Sequence, residues 1–451
     1  MKPDPKTVVV GSGVAGLLSA MIAARNGESA VIIDKSNEPG GLLKSIRGPG
    51  DHWFDLGTHL LEETGNHEID HILWGDLHAS DYHILGSARG GNYLGKLNTK
   101  SAFPDMRFLP DPIYCRGMVE MIQANPEKKS PENLFDQLTG LYGPTLCEHA
   151  LFPVLHKFLG ADLRQLAPDS HNLFGLRRII ALSSEATNRL KALPELDAKI
   201  AWHDDRTFQR PTKSFYPATG GAGQWVNRLV AELKRLNVEI LTGKQITSID
   251  STSGRVTAVE LDDGLQIGCR NLIWAAPVAF LLRAMKQSAP LRSGPPAMLS
   301  TTLFHYDLDR RYIPDLHYVY FFDPSVQSFR ATLYDNFRPG TTEGHHPITV
   351  EVIRQSGSGQ TCSKEQVFEE LKTTGLIPPK SSYHGVMEQD LPAGFPLPTC
   401  DIVESGRRQT EQIDNQFENI TLVSRSSGGS FFMSDVIADT WEKVTRLFRR
   451  D

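Results

Sequence analysis

The sequence predicts an α/β fold built around a parallel sheet, with one mainly helical region and one mixed-sheet region inserted into it. Two observations predict this fold. A β-branched strand runs directly into a glycine-rich turn, an apolar helix and a second strand within residues 7–34. Strand and glycine patterns of the same kind return at residues 215–277 and 419–436. The chain is therefore expected to form a discontinuous Rossmann-like domain.

The bulk properties of the chain limit its class. Its 451 residues exceed the size at which one hydrophobic core stops growing, so two or three subdomains are expected. A net charge of −6 and an isoelectric point of about 6.2 argue against a general attraction to nucleic acid. The five cysteines are scattered singly and are expected to be reduced. No apolar run of about eighteen residues occurs, so no membrane span is expected and the cytoplasm is the default location.

The turn at residues 11–16 has the spacing of a dinucleotide-binding fingerprint, and its flanking elements favour that function over a plain glycine turn. Gly11 allows a tight turn, Gly13 lets a diphosphate approach the backbone, and Gly16 lets helix and strand pack closely. The diphosphate is expected at the helix N-terminus, where free N–H groups favour negative charge. Asp34 ends the second strand and is expected to accept hydrogen bonds from ribose hydroxyls. The predicted contacts of this region are Gly11, Gly13, Val14, Ala15, Gly16, Asp34 and Lys35.

A second glycine pair follows within residues 38–45, Glu-Pro-Gly-Gly-Leu-Leu-Lys-Ser. It resembles the corresponding pair of the flavoprotein superfamily that contains the amine oxidases and protoporphyrinogen oxidases. The resemblance implies an FAD-binding domain, with Gly41 and Leu42 at the cofactor. Lys44 stands where that superfamily usually has arginine, so one phosphate contact is altered.

Residues 54–59, Phe-Asp-Leu-Gly-Thr-His, resemble the segment that these flavoproteins place near the isoalloxazine ring. The resemblance implies cofactor contacts from Gly57, Thr58 and His59. His59 is accordingly a candidate catalytic residue. The alternative is that its imidazole only forms a hydrogen bond within the loop.

The resemblance extends to two later segments. Ile246 stands where the superfamily places a backbone contact to adenine. The strand at 419–423 and the glycine-rich stretch after it resemble the last FAD motif, although Ser424 replaces the usual glycine. Arg425 then belongs to the FAD site, or it is a surface cation after a strand. Backbone amides at the start of the final helix would face the flavin pyrimidine edge, where negative charge develops on reduction. The implied contacts are Ile246, Arg425, Ser434, Asp435 and Val436.

These segments predict three regions. Residues 1–85, 211–279 and 401–451 form the discontinuous FAD-binding domain. Residues 86–210 form a mainly helical insertion. Residues 280–400 form a β-rich domain that faces the substrate.

The run at residues 320–337 resembles a segment of the UDP-galactopyranose mutases, in which the first tyrosine and an arginine ten residues later contact the nucleotide sugar. The resemblance implies that Tyr320, Arg330, Tyr334 and Asn336 bind substrate and that Arg330 also serves catalysis. A planar, always-charged donor suits a sugar diphosphate. The implied partner is a nucleotide-linked sugar, isomerised between ring sizes through N5 of reduced FAD.

Departures from the mutase pattern leave other functions open. The uridine-stacking tryptophan is missing near residues 155–159, and Phe431 and Phe432 stand where the family has a tyrosine pair. A phenylalanine cannot donate to a phosphate. An FAD-dependent oxidoreductase that transfers hydride to flavin is therefore the main alternative, and a binding protein with a structural FAD is a third.

No metal site is expected from the spacing of histidines. His345 and His346 lie in a glycine-rich loop without a carboxylate or third ligand at a suitable spacing. The sequence therefore favours a solvated pair.

Overall fold

The computed structural model describes residues 5–75, 80–86, 88–124, 130–204, 212–287, 296–338, 343–359, 361–424 and 432–449, without the side chains of 392–395. Their backbone forms mixed helices and sheets, which confirms the predicted α/β class. The strands are β1 (Lys6–Val10), β2 (Ala30–Asp34), β3 (Ser45–Arg47), β4 (Trp53–Asp55), β5 (Leu61–Glu62), β6 (Tyr82–Leu85), β7 (Arg89–Tyr93), β8 (Lys96–Asn98), β9 (Ser214–Pro217), β10 (Glu239–Thr242), β11 (Ile246–Thr252), β12 (Arg255–Leu261), β13 (Gln266–Trp274), β14 (Met298–Leu308), β15 (Tyr318–Phe321), β16 (Arg330–Leu333), β17 (His346–Gln355), β18 (Tyr383–Pro396) and β19 (Ile420–Leu422).

The helices are distributed along the chain, and residues 111–197 contain several of them in succession. Not one of them, within the described ranges, combines the length and apolar character needed to cross a membrane. They are α1 (Val14–Arg25), α2 (His67–Trp74), α3 (Asp111–Gln123), α4 (Leu134–Tyr142), α5 (Pro144–Leu146), α6 (Phe152–Leu159), α7 (Ser184–Leu190), α8 (Pro194–Asp197), α9 (Gly223–Arg235), α10 (Val278–Ala284), α11 (Tyr334–Phe337), α12 (Lys364–Thr373), α13 (Cys400–Gln416) and α14 (Met433–Phe448).

The first sheet has the strand order β10-β2-β1-β13-β12-β11, and β19 also pairs with β13. Strands β10, β2, β1, β13 and β19 are parallel to their neighbours, whereas β11, β12 and the start of β13 form an antiparallel meander. Val8 and Val9 of β1 are fully buried because helices cover both faces of a parallel sheet. Three distant parts of the chain thus share one sheet.

The second sheet has the order β18-β14-β17-β16-β15-β7-β8 and lies mostly in the later part of the chain. It is antiparallel except where β7 runs parallel to β15. Strands β7 and β8 arise inside the region predicted to be mainly helical, so the second sheet draws on both predicted insertions. The division into three regions stays a prediction.

Lys157 of α6 joins the helical region to the second sheet. Its Nζ donates hydrogen bonds of 2.8, 2.9 and 2.8 Å to the carbonyl oxygens of Phe321, Asp323 and Ser328. These carbonyls belong to the connection between β15 and β16. Because a buried ammonium needs acceptors, the three bonds both satisfy the lysine and fix the connection that follows Tyr320.

His305 on β14 makes the folded state sensitive to acid. The ring is fully buried, with Nδ1 2.8 Å from Thr349 Oγ1 and Nε2 3.4 Å from Gln389 Oε1. Burial lowers the pKa of His305 from 6.5 to about 4. In the unfolded chain His305 binds a proton below pH 6.5, but in the folded chain it binds one only near pH 4. The stabilisation that comes from neutral His305 is therefore complete above pH 6.5, and it is lost as the pH falls from 6.5 to about 4.

The expected loss from His305 is roughly 3 kcal/mol across that window. Urea unfolding of the wild type and of His305→Gln at about pH 7.5 and about pH 4.5 measures it. The variant should lose less stability than the wild type between the two pH values. An equal loss in both proteins would show that His305 does not contribute.

Candidate dinucleotide-binding and active site

The glycine-rich turn between β1 and α1 has the geometry that its spacing predicts. Gly11 adopts φ +97°, a left-handed conformation that favours glycine. A Cβ on Gly16 would lie 1.8 Å from the carbonyl oxygen of Gly11, so only glycine fits there. A Cβ on Gly13 would meet nothing within 4 Å. Gly13 is thus not required by the packing of the protein itself, which fits the approach of a bound diphosphate to this backbone.

The N-terminus of α1 is open to an anion. Its N-cap is Gly13, no side chain caps it, and its first turn contains no acidic residue. Val14 and Ala15 begin the helix at this point. Free amide groups and the helix dipole together favour a phosphate in this position.

Asp34 at the end of β2 lies beside this turn. One of its carboxylate oxygens accepts hydrogen bonds of 2.6 Å from both the backbone N–H and the hydroxyl of Ser12, and the other accepts 2.7 Å from the Ser36 N–H. The carboxylate is therefore held in place at the edge where ribose is expected. A direct ribose contact stays a prediction.

Two segments border the turn. Gly41 adopts φ +59°, and a Cβ there would lie 3.4 Å from the Cα of Gly13, so the second glycine pair folds back onto the first. Leu42 is exposed beside it. On the other side the Lys244 amide donates to the carbonyl of Asp34, which brings Ile246 at the start of β11 close to the end of β2. Lys35 lies 5.4 Å from the ring centroid of Phe280.

The loop that contains Gly57 and Thr58 rests on a buried ion pair in the second sheet. Arg330 on β16 donates to both carboxylate oxygens of Glu351 on β17, at 2.6 and 2.9 Å. The amide of Thr58 donates to the same carboxylate at 3.1 Å. Gly57 has φ +108°, and a Cβ there would approach Glu351 Oε2 to 3.4 Å and Arg330 Nη2 to 3.7 Å. Arg330 thus lies directly under the loop predicted to face the flavin.

The charge of Arg330 is largely compensated. Burial by itself lowers the pKa of a guanidinium, but Glu351 and Tyr320 outweigh this effect and the pKa of Arg330 is raised. Arg330 Nη1 also lies 3.5 Å from the hydroxyl of Tyr320. The structure therefore brings Tyr320 and Arg330 together, with Glu351 as a third member that the sequence did not indicate.

The surroundings of His59 favour the neutral form of its imidazole. Burial is the main effect that lowers the pKa of His59 below 6.5, and Asp55 only partly opposes it. The backbone of Leu56 acts on the pKa of His59 in the same direction as Asp55, and the role of His59 stays a prediction. Nε2 is buried and has no hydrogen-bond partner among the described residues. In the neutral ring this atom is free to accept a proton or a hydrogen bond.

Tyr320 forms one wall of the site. A Cβ on Gly175 would lie 3.1 Å from its Cζ, so the ring packs against this glycine. Arg177 follows Gly175 by two residues, and its exposed guanidinium lies 4.2 Å from the ring centroid of Phe432. Phe432 is the N-cap of α14, so Arg177 stands beside the helix start that is expected to face the flavin.

The remaining predicted substrate residues have internal partners. Tyr334 is fully buried, and its hydroxyl accepts from the Asp55 amide at 2.9 Å and lies 3.0 Å from Thr349 Oγ1. Asn336 uses its side chain to bind Arg311 and the carbonyls of residues 314 and 316. Both placements favour supporting roles over direct contact with a substrate.

Asp55 is a second residue that sequence reasoning missed. Its fully buried carboxylate accepts hydrogen bonds of 2.5 Å from Ser45 Oγ, 2.5 Å from the Tyr216 hydroxyl and 2.9 Å from the Ala222 amide. It joins the segment before Gly57 to the glycine-rich turn before α9. The aspartate stood inside the motif at 54–59, but only the fold shows its partners.

The last FAD motif is partly described. Ser424 adopts φ +68°, a conformation that glycine tolerates best, which accounts for the glycine usual at this position. Arg425, Gly428, Gly429 and Phe431 lie outside the described residues. Ser434, Asp435 and Val436 form the first turn of α14, where Asp435 accepts a hydrogen bond from the Phe432 amide at 3.2 Å.

Comparisons with known sequences give one family match and several relatives. A family described as an NAD(P)-binding Rossmann-like domain matches residues 9–73. The all-trans-retinol 13,14-reductase of Rattus norvegicus is 28% identical over 209 residues, 43% of this chain and 31% of that protein. The match thus spans about a third of the rat protein's length. The 4,4'-diaponeurosporene oxygenase of Staphylococcus haemolyticus is 22% identical over 402 residues, 83% of this chain and 75% of that protein.

Solved structures share the whole fold. Reduced UDP-galactopyranose mutase aligns with a TM-score of 0.73 over 98% of this chain and 91% of that chain, at 17% identity. A protein of Exiguobacterium sp. 255-15 assigned as a protoporphyrinogen oxidase aligns with a TM-score of 0.69 over 99% of both chains, also at 17% identity. The chain thus contains a Rossmann-like NAD(P)-binding domain at residues 9–73, and as a whole it has the fold of these two solved structures.

Proposed function

We propose that the protein is an FAD-dependent oxidoreductase that acts on an apolar, conjugated substrate. The observation that carries this proposal is the double hydrogen bond by which Glu351 neutralises Arg330. The Arg330–Glu351 pair has no net charge, and two of the N–H donors of Arg330 are already used. The pair therefore attracts a diphosphate only weakly, and an uncharged substrate suits the site better. Two relatives, named as a retinol reductase and a diaponeurosporene oxygenase, agree with a hydrophobic polyene as substrate.

The residues around the glycine-rich turn fit FAD. The open space at Gly13 and the uncapped start of α1 suit its diphosphate, and Asp34 suits a ribose. Gly41 and the first turn of α14 would complete the binding site. When bound, FAD supplies a carrier that accepts or returns a hydride.

The chain's own residues would position the reacting groups. The Arg330–Glu351 pair fixes the backbone of Gly57 and Thr58 from below. Tyr320 provides an aromatic wall for an apolar substrate. His59 Nε2 would accept the proton that leaves one substrate carbon while the neighbouring carbon gives up a hydride, so that a double bond forms between the two carbons.

A second candidate is the mutase-like isomerisation of a nucleotide-linked sugar. One specific observation favours it, namely that the exposed guanidinium of Arg177 lies beside Phe432 at the start of α14. This cation could take the place of Arg330 as a diphosphate ligand. Tyr320 would then contact the sugar, as the sequence resemblance implies.

The test is an anaerobic spectroscopic assay on the purified protein loaded with FAD. Polyenes such as all-trans-retinol and 4,4'-diaponeurosporene are added to the oxidised and to the prereduced protein, and UDP-sugars are added in parallel. The proposal expects a polyene to bleach the oxidised flavin or to reoxidise the reduced flavin. Turnover of a UDP-sugar by the prereduced protein without net oxidation would instead establish the second candidate. No response to either class would contradict both.

His59 should give the reaction an acidic limb. Because the pKa of His59 is lowered from 6.5, activity is expected to be full above pH 6.5 and to fall as the pH decreases through the lowered pKa. The flavin reduction rate is measured against pH for the wild type and for His59→Gln. The variant should be slower by about 10²–10⁴-fold, with no acidic limb of this origin. An unchanged rate and profile would assign His59 to the loop alone.

A further inference from the structure

Two histidines and an aspartate from distant parts of the chain meet at one point outside the FAD site. His52 precedes β4, Asp307 lies near the end of β14, and His345 directly precedes β17. One ligand atom of each lies within 4.8 Å of those of the other two. His52 Nε2 is 3.5 Å from Asp307 Oδ1, and His345 Nδ1 is 2.8 Å from Asp307 Oδ2.

Two of these atoms lack hydrogen-bond partners. Asp307 is only 1% exposed, and neither its Oδ1 nor His52 Nε2 has a partner among the residues described. A buried carboxylate oxygen without a partner is costly in a folded protein.

We infer that His52, Asp307 and His345 form a binding site for one divalent cation of the zinc class. Two imidazoles and a carboxylate are a ligand set that zinc accepts. Zinc bonds of about 2.0–2.1 Å in a tetrahedron place neighbouring ligand atoms roughly 3.3 Å apart. The 3.5 Å between His52 Nε2 and Asp307 Oδ1 needs little adjustment to reach this spacing.

The surroundings place charges of both signs near the three ligands. The positive charge of Arg338 lies close enough to His52 to disfavour a second positive charge there, so it weakens the binding of a cation. Asp335 acts on His52 in the opposite sense and binds His346 Nδ1 at 2.6 Å. His345 is 39% exposed on its side chain, so a cation has a path from solvent and a water can complete the tetrahedron.

The position of the site suggests a structural role. His52 belongs to the β3–β4 hairpin, whereas Asp307 lies on β14 of the second sheet and His345 lies directly before β17 of that sheet. Asp55 follows His52 by three residues and anchors the loop of Gly57. A bound cation would therefore cross-link the β3–β4 hairpin to the second sheet, next to the loop that carries His59. The sequence interpretation found no carboxylate suitably placed for His345, whereas the fold brings Asp307 Oδ2 to 2.8 Å from its Nδ1.

Zinc titration of the chelator-treated, FAD-loaded protein tests the inference. One zinc per chain is expected, with a rise in the melting temperature, and Co²⁺ should give the visible absorption of a tetrahedral site. His345→Ala should weaken zinc binding by at least about 10-fold and remove the rise. Because the side chain of His345 is 39% exposed, this variant is expected to fold as the wild type does, and circular dichroism verifies it.

His384→Ala is the matched control. Its ring lies 4.8 Å from the ring of His345, but it binds the Gly344 carbonyl and is not one of the three ligands. Zinc binding should be retained in this variant. No zinc binding by the wild type, or equal binding by the wild type and His345→Ala, would overturn the site.

Discussion

Alanine at Gly13 is expected to abolish FAD binding while leaving the protein folded, and alanine at Gly16 is expected to destabilise the fold itself. A Cβ on Gly13 meets nothing within 4 Å, and φ there is −70°, so alanine fits the folded chain. It would occupy the space that a diphosphate needs. A Cβ on Gly16 lies 1.8 Å from the Gly11 carbonyl oxygen, so α1 must move away from β1.

The expected cost of Gly16→Ala is about 3 kcal/mol or more, since backbone must shift to relieve the overlap. Flavin content after purification and the urea midpoint without FAD separate the two variants. Gly13→Ala should show a wild-type midpoint and no bound flavin. Normal flavin content in Gly13→Ala would place the diphosphate elsewhere, and a normal midpoint in Gly16→Ala would contradict the packing of helix on strand.

Removal of the Glu351 carboxylate is expected to destabilise the protein by about 3–5 kcal/mol, because Arg330 would remain as a buried charge without its partner. The test variant is Glu351→Gln, which keeps the shape of the side chain. The free energy of unfolding is measured by urea denaturation. The Thr58 amide would also lose its carboxylate acceptor, so the flavin spectrum should change in the variant that still binds FAD.

The double variant Arg330→Met/Glu351→Leu should recover most of the lost stability, since it removes both charges together. Glu239→Gln is a control in an exposed ion pair with Lys6, and little change is expected there. Equal losses in the single and double variants would show that packing, rather than an unpaired charge, controls the effect. If Arg330→Met alone lost affinity for UDP-sugars, the substrate role implied by the sequence resemblance would gain support.

The local part of the site could be predicted from the sequence. The tight turn at Gly11, the close contact at Gly16 and the open space at Gly13 agree with their spacing, because a strand, a turn and a helix that are adjacent in the chain form this turn almost alone. The same holds for Asp34, which ends the neighbouring strand. The groups that donate hydrogen bonds to the Asp34 carboxylate belong to Ser12 and Ser36, which lie just after the ends of the two neighbouring strands.

The partners of the substrate residues could not be predicted in this way. Arg330 and Glu351 face each other because β16 and β17 pair in one register, and a shift of a single residue would have turned one side chain to the other face of the sheet. No sequence pattern states that register. For the same reason the burial of Tyr334 appeared only with the fold.

The sequence by itself determined the α/β class, the Rossmann-like domain and the likeness to flavoproteins, because these depend on short-range periodicity and on motifs within about 30 residues. The tertiary structure decided what Arg330 binds, that the pKa of His59 is lowered, and that His52, Asp307 and His345 meet. Each of these depends on groups brought together from distant strands, and on a burial that no single segment can set.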